Sequence, residues 1–188
     1  LLSYWIKGKA SFGKRLASLP AGDSLRILAE AHLGASVASE PLYDFDPAKP
    51  ATVQRLQTDF RTVMPVARHQ PALNVHYFSK TAFTPQHLEE LKAIEQQVVF
   101  LNLSRMPVQD RDLSTLKGFV HLEKLNLNFT EVDGTGLLQL DRLSRLNSLP
   151  LAGTKLSATT LESLLRYHKQ LRTVAVWNTP VGTEDVQR

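Results

Sequence analysis

The sequence predicts an α/β fold in which short parallel strands alternate with helices, and three observations carry that prediction. An apolar signature returns four times in phase between residues 98 and 181. Each copy alternates apolar and polar residues over a few positions, then shows apolar residues at helical spacing. The 188-residue chain is 43% hydrophobic, enough for a core. No apolar run approaches the roughly 18 residues that cross a bilayer.

The four copies align position by position. Val98-x-x-Leu101-x-Leu103 is followed by Val108, and Leu122-x-x-Leu125-x-Leu127-x-x-Thr130-x-Val132 comes next. Leu146-x-x-Leu149-x-Leu151-x-x-Thr154-x-Leu156 and Leu171-x-x-Val174-x-Val176-x-x-Thr179-x-Val181 complete the set. Leu101, Leu125, Leu149 and Val174 are spaced by 24, 24 and 25 residues, a period within the leucine-rich-repeat range. The alternation sends paired side chains to one face of a strand. Leu113 and Leu116, then Leu137, Leu140 and Leu143, then Leu161, Leu164 and Leu165 predict helices that close over it. One such unit cannot bury its own apolar face, so neighbours must stack. The expected architecture is a short leucine-rich-repeat solenoid, with about five parallel strands on a concave face, helices on the convex face, and an N-terminal helical cap. Thr130, Thr154 and Thr179 stand where this repeat class often has Asn, and predict a polar group that satisfies the backbone as the chain leaves each strand. Met106 breaks that ladder in the first copy.

Two helices are expected within residues 1–33. The first holds Leu1, Leu2, Trp5, Ile6, Phe12, Leu16 and Leu19; the second runs from Ser24 to Leu33, capped by Asp23 or Ser24. Residues 34–50, rich in Ala, Ser, Pro and Asp, read as a loop or linker. Val53 to Phe60 predicts a third helix, with Val53, Leu56 and Phe60 on one side. Val63 to Val66 reads as extended, because Pro65 disfavours helix at Met64. Residues 1–70 are thus expected as a helical segment and linker covering the open end of the repeats, and residues 71–188 as the repeat domain. Within the latter, Leu73 to Phe78 predicts a strand and Phe83 to Ile94 a turn plus helix. Thr84 is the expected N-cap, Pro85 the first helical residue, and Leu88, Leu91 and Ile94 the buried stripe. Phe83 lies 25 residues before Val108, which makes this an irregular first repeat. The last copy stops soon after Val181, so a missing cap or a frayed terminus is expected there. Leu1 is expected to be a cut inside a longer protein, since neither an initiator Met nor a signal-peptide pattern precedes it.

The chain offers little for catalysis. It contains no Cys, which removes thiolate metal sites, Cys nucleophiles and covalent haem attachment. His32, His69, His76, His87, His121 and His168 form no metal-ligand spacing. Gly134-Thr135-Gly136 reads as a turn and lacks the Lys of a phosphate loop. Asp110 with Asp112, and Asp133 with Asp141, read as caps of turns and helix starts. No nucleophile elbow is present. An enzyme is therefore not expected, and neither a metal nor a cofactor. The net charge is +4, and Lys7, Lys9, Lys14, Arg15 and Arg26 face a single acid, Asp23. They read as a solvated helix face, not as a nucleic-acid surface, which would need a denser stripe with stacking aromatics. The sequons at Asn102 and Asn128 fall in strand phase and are explained by it.

A binding function, if present, belongs to the outward strand positions. They predict three columns: Phe100, Lys124, Ser148 and Thr173; Asn102, Asn126, Pro150 and Ala175; and Ser104, Asn128, Ala152 and Trp177. The candidate binding residues are Phe100, Asn102, Lys124, Asn126, Asn128 and Trp177, with Trp177 foremost because exposed Trp is enriched at binding hot spots; the alternative for Trp177 is packing at the open end of the stack or against the tail at Val181.

Two further stretches carry a family resemblance. Trp5-Ile6-Lys7-Gly8-Lys9-Ala10 resembles the Trp-Ile-x-x-Gly-Ala ending of a bacterial c-type cytochrome domain, departing from it by Lys9. Phe83-Thr84-Pro85-Gln86-His87-Leu88-Glu89-Glu90-Leu91, followed by the Thr-x-Val repeats, is similar to bacterial membrane-anchored proteins that place leucine-rich repeats after such a cytochrome. The haem-bearing residues are absent, so no haem role carries over. The resemblance implies an extracytoplasmic address in the periplasm or cell envelope. The expected function is a non-enzymatic protein-interaction module of a larger envelope protein, with no nucleic-acid partner and no membrane insertion by this segment. Alternatives are an accessory domain that packs on a cytochrome domain of its own polypeptide, through the basic helix and Trp5, and a carbohydrate-binding module using Asn102, Asn126, Asn128 and Trp177.

Overall fold

The computed structural model describes residues 43–68 and 70–182. The expected helices within residues 1–33, the basic cluster, Trp5, His32 and His69 lie outside the described residues. The chain divides into two units, 1–42 and 43–188. Residues 43–70, expected as linker and cap, thus belong to the same unit as the strands.

Helix α1 (Pro50–Leu56) leads into β1 (Arg61–Pro65) and β2 (Leu73–Tyr77). Helix α2 (Gln86–Glu90) continues as a 3-10 turn (Leu91–Ile94) into β3 (Val98–Asn102). Strands β4 (Lys124–Asn126), β5 (Ser148–Pro150) and β6 (Thr173–Ala175) follow at the repeat period. Helix α3 (Ala158–Tyr167) joins the last two. The six strands form one sheet in chain order, β1-β2-β3-β4-β5-β6. The pair β1–β2 is antiparallel and every later pair is parallel. The molecule is therefore α/β with a mostly parallel sheet; five of its strands are the ones read from the sequence, and β1 adds an antiparallel edge.

The alternation has the expected packing consequence. Leu101, Leu103, Leu125, Leu127, Leu149 and Leu151 are wholly buried, and Leu113, Leu116, Leu137, Leu140, Leu143 and Leu164 close over them from the crossovers. The crossovers differ from expectation in form. Those after β3 and β4 are 3-10 segments, Asp110–Gly118 and Thr135–Gln139, whereas those after β2 and β5 contain the α-helices α2 and α3. A short repeat leaves few residues to return beside the strand, and a 3-10 helix advances further per residue than an α-helix. Helix α3 forms where Ser157 supplies a true cap, its Oγ accepting the Thr160 N–H. Leu165 does not join the buried stripe; it is 47% exposed, one residue on from Leu164 and so turned more than a quarter of a turn away.

Each turn is closed by its own side chains. The Thr130, Thr154 and Thr179 hydroxyls donate to the carbonyls of Leu127, Leu151 and Val176 at 2.7, 2.6 and 2.6 Å, as the Thr ladder predicted. Met106, at the same position, is buried in the core, and the Leu103 carbonyl there accepts the Met106 N–H in place of a hydroxyl. Asp110 caps the following unit: its carboxylate accepts the N–H groups of Asp133, Gly134 and Gly136. A Cβ at Gly136 would lie 2.3 Å from the Asp110 carbonyl oxygen, so this approach needs glycine. Asp112 accepts the Gln109 N–H at 2.9 Å, completing a capping box.

Three upstream readings are revised. The first helix ends at Leu56, four residues before Phe60, because the Gln57 amide turns to the strand: its Nε2 donates to the Val63 carbonyl at 2.6 Å and its Oε1 accepts the Val63 N–H at 3.0 Å. A side chain thereby occupies the free edge of β1. Thr84 does not cap with its hydroxyl; its N–H donates instead to His87 Nδ1 at 3.1 Å. The end of the expected linker is tied down: Tyr43 packs with Ala72 and Val99, Phe45 stacks on His121 at 4.6 Å, and Gln97 bonds the Asp46 carbonyl.

Arg61, only 1% exposed, anchors this end. Its guanidinium donates to the carbonyls of Leu56 and His87, to the Tyr77 hydroxyl, and to Glu90 at 2.8 Å. Burial pushes the Tyr77 phenol up to about 12, against a smaller opposing pull from Arg61.

Candidate binding face at the strand exits

Strand register places the predicted columns side by side. Asn74, Phe100, Lys124, Ser148 and Thr173 are successive partners across β2 to β6, and His76, Asn102 and Asn126 form the next column. Pro150 pairs with Ala175 further along the sheet. All six predicted residues lie on this outer face, but they do not form one cluster.

At one end His76 meets the Phe100 ring edge-on at 4.9 Å and approaches Asn102 Nδ2 at 3.4 Å. Lys124 is exposed in the middle and makes no ion pair among the described residues. Trp177, 62% exposed, stands at the far end. Ala152 does not face solvent as its column implied; it is completely buried, with its N–H donating to Asn128 Oδ1 at 2.8 Å.

The three asparagines have a second role that strand phase alone did not disclose. Asn102 Oδ1 accepts the Ser104 N–H and Asn126 Oδ1 accepts the Asn128 N–H, both at 3.0 Å. With Asn128 Oδ1 on Ala152, all three side-chain oxygens are turned onto backbone donors. A backbone N–H accepts nothing, so this contact fixes each amide with its oxygen inward and its NH₂ outward. The face therefore offers donors: the Asn126 and Asn128 amides and the Lys124 ammonium, with the Asn102 amide directed at His76 Nδ1.

A fourth column lies at the strand exits, where Arg105 and Gly153 join Phe129 and Asn178, the two residues that the sequence places just after the strand columns. Arg105, Phe129, Gly153 and Asn178 hold equivalent repeat positions, all with left-handed backbone, φ 65°, 58°, 67° and 56°. Only Gly153 and Asn178 are residue types that favour that conformation, and their common phase was the available signal. The left-handed turn throws the Phe129 ring sideways over Gly153. There it meets Trp177 edge-on at 5.3 Å, and the Arg105 guanidinium lies 5.4 Å from its centroid. Arg105, Phe129 and Trp177 thus make a continuous row along the strand exits, all exposed.

Two open hollows of about 420 and 380 Å³ lie near α1, one walled by Pro47, Pro50, Pro65 and Pro71, the other beside the Arg61–Glu90 pair. Among the described residues no group of three or more His, Cys, Asp or Glu could hold a metal ion, and no helix is long and apolar enough to cross a membrane. The sequence matches no protein-family model and no curated protein.

Proposed function

We propose that this chain is a leucine-rich-repeat interaction module, non-enzymatic, that binds a protein partner on the outer sheet face at the strand exits. The observation that carries the reading is the Arg105–Phe129–Trp177 row beside outward-facing amide donors. Trp and Arg are enriched among residues that dominate binding energy, and an exposed Trp held by a neighbouring ring loses little freedom on binding. The donors suit a partner that presents carbonyl or carboxylate oxygens. The repeat period, the chain-order parallel sheet and the Thr-closed turns support the solenoid assignment. An extracytoplasmic parent protein follows from the family resemblance alone and belongs to the same proposal.

The test is cross-linking from Trp177, with a photoreactive residue in its place, in cells of the source organism, followed by affinity measurement with the captured protein. Trp177→Ala and Arg105→Ala should each weaken that complex about tenfold or more. Lys117→Ala, on a crossover, should leave it unchanged. Unchanged affinity in both face variants would sink the reading.

A further inference from the structure

The outward side chains of β4 are Lys124 and Asn126, and the backbone ladder continues past the strand to Asn128 through the Leu127 and Phe129 N–H groups. Alternate residues of a strand share a face about 6.6 Å apart, so the three form a line of roughly 13 Å. Arg105 stands at the end of that line: its N–H donates to the Asn128 carbonyl, and its guanidinium lies 5.4 Å from the Phe129 centroid. Every group left open along the line is a donor. Asn126 Oδ1 and Asn128 Oδ1 are taken by the N–H groups of Asn128 and Ala152, which leaves only the amide N–H groups to face outward. Neither Lys124 nor Arg105 has an ion pair among the described residues. None of the six strands contains an Asp or Glu. The acids that flank the line in sequence are engaged elsewhere: Glu123 accepts from the Tyr43 hydroxyl at 3.5 Å, and Glu131 from the Gln109 amide at 3.1 Å.

We infer that this line receives an extended acidic segment of the protein partner, with carboxylates at alternate positions facing Lys124, Asn126 and Asn128. The inference rests on the docking face argued above and names the chemistry of its partner. Hydrogen bonding is the first constraint. A carboxylate offers acceptors alone, the complement of a line that offers donors alone, whereas the O–H of a sugar hydroxyl would find no acceptor on it. Charge then decides between a carboxylate and a neutral carbonyl. A neutral partner lying over Lys124 takes water from the ammonium without returning a counter-charge, while a carboxylate forms a charge-assisted bond. Arg105, beside Asn128, adds positive charge at that end. Spacing selects a peptide. Alternate side chains of an extended peptide recur at the same distance as those of β4, so three acids over five residues match the line one for one. Beyond the last acid, an apolar side chain meets the exposed Phe129 and Trp177 rings, whose centroids are 5.3 Å apart.

Short synthetic peptides titrated into the whole chain by NMR test the inference through the side-chain amide signals of Asn126 and Asn128. One peptide carries Glu at three alternate positions, a second has Gln in their place, and a third has the three Glu consecutive. The alternating acidic peptide should move both amide signals and bind about tenfold or more tightly than the Gln form. It should also bind more tightly than the consecutive form, and rising salt should weaken it. Lys124→Glu should abolish the preference for Glu over Gln with the circular dichroism spectrum unchanged, and Lys124→Met, which removes the charge alone, should act in the same direction. Equal binding of the Glu and Gln forms overturns the inference, as does equal binding of the alternating and consecutive forms. So does the absence of binding by all three up to millimolar concentration, or tighter binding of a uronic-acid oligosaccharide than of any peptide. If one of these is found while Trp177→Ala still weakens the captured complex, the docking face stands and only the chemistry assigned to its partner falls.

Discussion

The Phe129 ring lies directly over the Cα of Gly153, so close that a Cβ there would sit 2.3 Å from Phe129 Cδ1. Gly153 also has φ +67°, where an L side chain is strained. Gly153→Ala is therefore expected to lose about 2 kcal/mol or more, from strain and displacement of the ring. In a double-mutant cycle by urea unfolding, Phe129→Ala should recover the part due to the ring. Strict additivity of the two changes would show that the ring does not press on this glycine.

The Thr hydroxyls that close the turns predict a second effect. Thr154→Val keeps the shape but leaves the Leu151 carbonyl without the bond it receives at 2.6 Å. The expected loss is about 1–3 kcal/mol. Met106 lacks that group and is buried, so Met106→Thr should lose packing but gain the hydroxyl bond to the Leu103 carbonyl, and its urea midpoint should fall less than that of Met106→Val.

Arg61 predicts a strong asymmetry with its ion partner. Arg61→Met strands the Leu56 and His87 carbonyls and the Tyr77 hydroxyl, and is expected to cost about 3–5 kcal/mol. Glu90→Gln should cost less than about 1 kcal/mol, because the Glu90 side chain is 48% exposed. Arg61→Lys should not restore stability, since an ammonium cannot span the same fork of acceptors. Equal losses at Arg61 and Glu90 would refute this.

Tyr77 gives an alkaline prediction. Its phenol holds its proton up to about 12 in the folded chain, against an ordinary value of 10.0. Above the ordinary value the unfolded chain releases a proton that the folded chain keeps, so unfolding becomes more favourable. The stabilisation is complete below the ordinary value and is lost as pH rises towards the folded one. Urea midpoints across this range should fall less steeply in Tyr77→Phe than in the parent.

Asn126 separates binding from folding. Its Oδ1 holds the Asn128 N–H, so Asn126→Ala should weaken the turn as well as any complex. Asn126→Asp keeps the acceptor and loses only the outward donors. It should preserve the thermal midpoint within a few degrees, while lowering affinity for a partner that presents oxygens.

The repeat was legible because the Leu-x-x-Leu-x-Leu spacing reports directly on which side chains share a face. The Thr ladder was legible for the same reason: one polar type recurs at one phase. Helical form in the crossovers was not, because Leu113 and Leu116 suit an α-helix and a 3-10 segment alike, and the choice depends on the space left by neighbouring strands. The roles of Gln57 and Arg61 were hidden because each acts on backbone groups that only the folded chain brings near. The binding residues were read as a face but not as a site. Asn102, Asn126 and Asn128 owe their orientation to the turns they close, and Phe129 joins Trp177 through a backbone conformation that its residue type does not announce.

The Gln57 amide on Val63 finally gives the molecule a mechanical direction. A tether that pulls on the far side of the sheet meets β6, which among the described residues pairs with β5 alone, and can peel it without disturbing the rest. Each repeat of 24 residues so released adds about 80 Å of contour, and the next strand becomes the new front. Force applied from the near side instead meets the Arg61 guanidinium, bonded at once to Leu56, Tyr77, His87 and Glu90, so several bonds must break together there. The same chain would yield in steps from one end and as a block from the other.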